Sequence, residues 1–119
     1  MNPAYQYEAE VIDVYDGDTI TARVDLGFHV SMTVKFRLFG IDTPEMRGDE
    51  KEDGKRVRDL VRERILNKQV LLKSHKGKTG KYGRWLAEVI YTDNNNIETN
   101  LNLLLVAEGN AEVYFGGTR

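Results

Sequence analysis

The sequence predicts an α+β, mostly β domain: a five-stranded OB-fold barrel with one helix between the third and fourth strands and a second helix after the fifth. Three observations predict it. Apolar and polar residues alternate through residues 19–26 and 30–38, the period of half-buried strands, behind a first strand candidate at 7–15. The apolar spacing then changes to three and four over residues 54–66, the stripe of an amphipathic helix. Two more short β-type runs and a second helical run follow, and the resulting order matches a small OB barrel, although other small α+β folds share it.

The first strand is expected from Tyr7 to Tyr15, ended by Asp16-Gly17, and the second from Thr19 to Leu26. In the second, Ile20, Ala22, Val24 and Leu26 alternate with Thr19, Thr21, Arg23 and Asp25, and Gly27 breaks the pattern. The third runs from Val30 to Phe39, with Val30, Met32, Val34, Phe36 and Leu38 sharing a face. Over Gly54 to Leu66, Val57, Leu60, Val61 and Ile65 form the helix stripe, with Asp53 as the expected N-cap. Val70 to Lys73 and Trp85 to Tyr91 supply strands four and five. Asn100 to Glu108 reads as the second helix, stopped by Gly109. The polar run from Thr92 to Asn96 is a turn, and no repeat or linker divides the chain. A single domain over 1–119 follows, with its core over about 7–115.

A chain of 119 residues can bury about 65% of its extended surface, enough for one core. Hydrophobic residues are 40%, charged residues 30% and prolines two, which excludes a disordered or collagen-like polymer. The absence of Cys excludes a disulfide framework and a zinc-thiolate site. No run approaches the ~18 apolar residues that cross a bilayer. Residues Met1 to Glu8 carry neither the basic nor the apolar region of a secretory signal. As given the sequence reads as cytoplasmic, but a chain whose signal had been removed would look the same, so localisation stays open; a monomer without membrane contact is the expectation. The net charge of −2 argues against general polyanion binding. It conceals an asymmetry, because Lys73 to Arg84 holds five cations and no acids, leaving 12 cations against 19 acids elsewhere. Alone, such a segment is a solvated basic loop.

Chemistry concentrates where strands end, at Asp16-Gly17-Asp18-Thr19 and at Asp42-Thr43-Pro44-Glu45. Taken singly, each is a turn, since Asp and Gly favour tight reversals. A hairpin with Leu26 facing His29 would set Asp18 across from Arg37, with Asp42 just beyond the strand end. Antiparallel neighbours lie ~5 Å apart, so two carboxylates and an arginine converge at one barrel end. Two such carboxylates repel unless neutralised. A hard cation such as Ca2+, which accepts carboxylates, carbonyls and water, is one solution, and an Asp18–Arg37 ion pair is the other. Spacing leaves both open. His29 and His75 fit no catalytic pattern and read as surface residues.

Three separated segments, Asp16-Gly17-Asp18-Thr19, Phe36-Arg37-Leu38-Phe39-Gly40-Ile41-Asp42-Thr43-Pro44-Glu45 and Lys81-Tyr82-Gly83-Arg84-Trp85-Leu86-Ala87, together with Asn102 and the helix Leu103 to Gly109, resemble the staphylococcal nuclease (thermonuclease) family. The resemblance covers roughly Val11 to Tyr114. It implies a Ca2+-dependent phosphodiesterase that cuts DNA and RNA with little sequence choice and leaves 3′-phosphate ends. It implies Asp18 and Asp42 as metal carboxylates, the Thr43 carbonyl as a third ligand, Glu45 as the residue that activates or positions the attacking water, and Arg37 and Arg84 as phosphate clamps. Lys81 and Tyr82 are similar to residues that flank a nucleotide's terminal phosphate, and Tyr114 or Phe115 to the aromatic that stacks on its base. Arginine suits a clamp because its planar fork meets two phosphate oxygens at once. The chain departs from the family's secreted type, which is strongly basic. Its Arg47 to Asp53 stands where those proteins carry a long mobile loop, and it ends soon after Tyr114, where they carry a third helix. A catalytically inactive nuclease-fold domain that binds nucleic acid or protein is the second reading, and a metal-free structural barrel the third. The presence of Asp18, Arg37, Asp42, Glu45 and Arg84 together favours the enzyme.

Overall fold

The computed structural model describes residues 5–79 and 84–114. The elements are β1 (Tyr5–Asp16), β2 (Thr19–Gly27), β3 (Val30–Leu38), β4 (Ile41–Asp42), a 3-10 turn (Gly48–Glu50), α1 (Lys51–Ile65), β5 (Gln69–Thr79), β6 (Trp85–Thr92), β7 (Glu98–Asn100), α2 (Leu101–Ala107) and β8 (Glu112–Val113). The long strands β1, β2, β3, β5 and β6 are the five the sequence predicts, and β4, β7 and β8 are short additions. The main sheet has the order β3-β2-β1-β5-β6-β7, and β3 also pairs in parallel with β6 at Phe36–Trp85, Arg37–Leu86 and Leu38–Ala87. That last pairing closes the sheet into a barrel, which removes the open edges of its five strands. The closed barrel with its two helices is the OB-type architecture.

The barrel interior follows the alternation. Ile20, Ala22 and Val24 of β2, Phe36 and Leu38 of β3, Leu72 of β5 and Val89 of β6 are buried. In β1 the alternation breaks by one residue, because a bulge between Val11 and Asp13 turns Val14 inward instead of Asp13. Helix α1 lays Gly54, Val57, Val61 and Ile65 over the barrel, with Leu60 partly buried beside them. Arg62 ties the helix to β1 by a fork, its Nε and Nη2 donating to the Val14 carbonyl at 3.1 and 3.0 Å.

Five local expectations are corrected. The β2–β3 hairpin pairs one residue out of the predicted register, with Thr19 opposite Arg37 and Gly27 opposite Val30, because Leu26 is bulged and Phe28-His29 alone make the turn. Val30 and Met32, predicted inward, are more than half exposed, since the hairpin outruns the core. Helix α1 starts at Lys51, after a 3-10 turn, and its N-cap is Glu50 rather than Asp53. Asp53 sits within its first turn, where a negative charge still suits the helix dipole. The predicted basic loop is strand up to Thr79, since β6 supplies its backbone partners. His75 is half-buried rather than superficial, stacked on Phe39 at 3.6 Å and bonded to Glu88 at 3.0 Å.

Helix α2 begins as predicted, with the Asn100 side chain accepting the Leu103 N–H at 3.2 Å. Its buried Asn102 donates to the carbonyls of Phe39 and Ala87 at 2.9 and 3.2 Å and accepts from Val89 N–H at 3.1 Å. One amide thereby joins α2, β6 and the chain leaving β3, and fixes the approach to Asp42.

Candidate functional site

The site lies where the β1–β2 turn, the end of β3, and β4 meet at one mouth of the barrel. Asp18 is buried at 8% exposure, too costly for a carboxylate without partners. It has them. Its Oδ2 accepts the Thr43 N–H at 3.1 Å, its Oδ1 accepts the Thr19 hydroxyl at 3.3 Å, and its Oδ2 lies 3.5 Å from Arg37 Nη2. The same Nη2 donates to Asp42 Oδ1 at 3.2 Å and to the Ile41 carbonyl at 3.0 Å. One nitrogen of Arg37 therefore sits between both predicted carboxylates. This is the ion-pair alternative, extended to Asp42. All three contacts use Nη2, and neither Nη1 nor Nε of Arg37 makes a hydrogen bond among the described residues. A guanidinium grips two phosphate oxygens through Nη1–Nη2 or Nε–Nη2, so either grip here shares its Nη2 with the carboxylates.

Arg84 joins the cluster through a residue the sequence reading missed. Thr19 Oγ1 accepts from Arg84 Nη1 at 3.1 Å while donating to Asp18, so the second arginine is one hydroxyl away from the first carboxylate. The signal was available, since Thr19 starts β2 opposite Arg37 once the bulge at Leu26 is allowed. Tyr114 reaches the site from the far end of the chain. Its N–H donates to the Gly40 carbonyl at 2.8 Å, and the Arg37 guanidinium lies 5.4 Å from its ring centre, within cation–π range. The two-residue strands β4 and β8, pairing Ile41 with Val113 and Asp42 with Glu112, bring it there.

Glu45 does not enter the buried cluster. Its carboxylate is 66% exposed and lies 3.8 Å from Arg47 at the rim. Its backbone, in contrast, is held, as the N–H donates to Glu50 Oε1 at 2.8 Å. The segment from Arg47 to Asp53 forms the 3-10 turn and the first turn of α1. Lys81, Tyr82 and Phe115 lie outside the described residues.

The charge balance of the mouth bears on what it can hold. Burial, and behind it the hydrogen bond and charge of Asp18, push the Asp16 carboxyl up to about 7, although Asp16 Oδ1 accepts the Asp18 N–H at 3.1 Å. Asp16 and Asp18 thus share one turn, with Asp42 on the other side of Arg37, and the ionised state of Asp16 is opposed. Donors of this kind, all oxygen and short of positive charge, fit a hard cation. Among the described residues no group of three or more His, Cys, Asp or Glu closes around one point. A cation at Asp18 and Asp42 would therefore complete its shell with backbone carbonyl, water and substrate oxygen, which is an open site.

Among the described residues no helix is long and apolar enough to cross a membrane. Residues 35–119 match the staphylococcal nuclease homologue family, a span that contains Arg37, Asp42, Thr43, Glu45 and Arg84, with Asp18 just upstream. The chain is 30% identical over 129 residues to the uncharacterized protein MJ1439 of Methanocaldococcus jannaschii, an alignment that covers 91% of this chain and 59% of that protein. It thus spans about three fifths of the relative's length. A family match over most of the chain, on a closed barrel of the matching type, means that this protein belongs to the staphylococcal nuclease homologue family.

Proposed function

We propose that this protein is a Ca2+-dependent phosphodiesterase, an endonuclease that hydrolyses DNA and RNA with little sequence choice and leaves 3′-phosphate ends. One observation carries the reading: Asp18 and Asp42 meet at a single nitrogen of Arg37, while its Nη1 and Nε make no protein hydrogen bond among the described residues.

In this reading Asp18, Asp42 and the Thr43 carbonyl hold Ca2+, which when bound supplies positive charge beside the phosphodiester and its attacking water. Arg37, anchored by Nη2, offers its Nη1 N–H groups to the phosphate. Arg84, anchored through Thr19, grips from the other side. Both are preorganised, so they meet the growing charge without rearrangement. Glu45 swings from the rim to take a proton from water as the oxygen–phosphorus bond forms. The bond from phosphorus to the 5′ oxygen breaks, and that oxygen takes a proton from solvent. Lys81 and Tyr82 flank the terminal phosphate, and Tyr114, already against Arg37, offers its ring to a base.

A second reading has one observation in its favour. The Glu45 carboxylate stands with Arg47 rather than with the cluster, as it would in an inactive nuclease-fold domain that binds nucleic acid or protein. Plasmid nicking separates the two. The enzyme cuts in Ca2+ and stops in chelator, and Arg84→Ala slows it by ~10²–10³ and Glu45→Ser by ~10²–10⁴. Folded protein that binds DNA and leaves the plasmid intact in Ca2+ establishes the binding domain instead. Wild-type rates in both variants remove the mechanism.

A further inference from the structure

The geometry points to Glu50 and Gly54 as positioning residues for Glu45, forming a seat on the start of α1 that holds the Glu45 backbone from both sides. The inference rests on the reading that Glu45 acts on the attacking water. On one side the Glu50 carboxylate accepts the Glu45 N–H at 2.8 Å. On the other the Glu45 carbonyl lies against the bare Cα of Gly54. A Cβ at Gly54 would stand 2.2 Å from the Glu45 carbonyl oxygen, 2.7 Å from its carbon and 3.1 Å from Met46 Cα. These are backbone atoms, so the methyl of an alanine could enter only by pushing the chain away.

Helix chemistry argues that the seat is there for position. Glycine inside a helix costs about 1 kcal/mol relative to alanine. Gly54 nonetheless occupies the buried stripe of α1, in line with Val57 and Val61. Glu50 is the N-cap of α1, yet its side chain makes no bond to the helix's own N–H groups and reaches back to Glu45 instead. Both residues therefore forgo their ordinary helix role and meet the same residue. Because Gly54 is four residues beyond Glu50, the two face one side of one helical turn. The Glu45 backbone is clamped while its exposed side chain meets only the exposed Arg47 at the rim, so the seat fixes where the side chain starts from.

Steady-state cleavage of DNA in Ca2+ by the full chain tests this, with Glu50→Ala, Glu50→Gln and Gly54→Ala each made in the natural background and in Glu45→Ala. A displacement of about 1 Å in a catalytic group can cost up to ~10²-fold. Glu50→Ala and Gly54→Ala are expected to lower kcat about ten- to a hundredfold with KM within about twofold. Glu50→Gln keeps an acceptor oxygen and is expected to restore most of kcat. In the Glu45→Ala background none of the three should lower kcat further, because residues that act through one group are non-additive. Glu50 is exposed, so its variants fold even where Gly54→Ala does not, and the Glu50 pair then carries the test. Wild-type kcat in Glu50→Ala beside a crippled Glu45→Ala overturns the seat and leaves the role of Glu45 standing. An undiminished further loss in the Glu45→Ala background also overturns it. Wild-type kcat in Glu45→Ala itself removes the underlying reading and the seat with it.

Discussion

The two ends of β2 use the same local device for different purposes. At the site end, Asp16 accepts the N–H of Asp18 at 3.1 Å, and at the hairpin end Asp25 accepts the N–H of Gly27 at 2.8 Å. Each is an aspartate turning the chain over two residues, with a glycine in the turn. Gly17 is there for closeness, as a Cβ would stand 2.7 Å from Val57 Cγ1 and 2.8 Å from Thr43 Oγ1. Gly27 is there for its backbone, at φ +85° in open space, followed by Phe28 and His29 also in the left-handed region. One end packs carboxylates, arginines and a helix into a mouth. The other leaves Leu26, Phe28, Val30 and Met32 exposed. A turn motif therefore identifies a turn, and what packs against it decides whether it is also a site.

Substitutions at the two ends should rank accordingly. Gly17→Ala forces a methyl into Val57 and Thr43 and disturbs the Thr43 N–H bond to Asp18, and should cost about 3 kcal/mol, the upper range for overpacking. Gly27→Ala meets only backbone strain and should cost about 1 kcal/mol. Urea denaturation of both variants checks the order, and equal losses would erase the contrast.

The aspartates should differ next. The Asp16 carboxyl is raised to about 7 in the fold from an ordinary 3.8, chiefly by burial and then by Asp18. A carboxyl raised in this way favours folding fully below about pH 4, loses that contribution as pH rises toward 7, and opposes the fold when ionised above it. Asp16→Asn keeps an acceptor for the Asp18 N–H and removes the ionisation. In chelator it should stabilise by on the order of 2 kcal/mol at pH 8, after discounting for partial exposure, with the gain fading toward pH 4. Asp25→Asn, on the exposed turn, should stay within about 0.5 kcal/mol. A gain for Asp16→Asn that is equal at both pH values would contradict this assignment.

The strands, both helices and the meeting of Asp18, Arg37 and Asp42 were legible in the sequence because each rests on a local pattern. Alternation marks β2, the Val57, Val61 and Ile65 spacing marks α1, and Asn100 and Gly109 bound α2. What was not legible depended on events between elements. The register of β2 on β3 turned on a bulge at Leu26, which no periodicity announces. Thr19 as the bridge to Arg84 depended on that register. The strand pairing of 74–79 depended on β6 rather than on its own lysines and glycines. Glu50 left its own helix uncapped because Glu45 claimed it, and only a folded chain brings those two together. The site residues are short-range features of strand ends, whereas their supports are long-range.

The calcium dependence of phosphodiester cleavage, followed by titration with the natural chain beside Asp42→Asn, tests the central claim most directly. The account predicts a rate that rises and saturates with Ca2+ in the natural chain, and a curve in Asp42→Asn that is displaced to higher Ca2+ with a lower plateau. A natural chain that cuts equally well in chelator, or one that never cuts at any Ca2+ concentration, would contradict it.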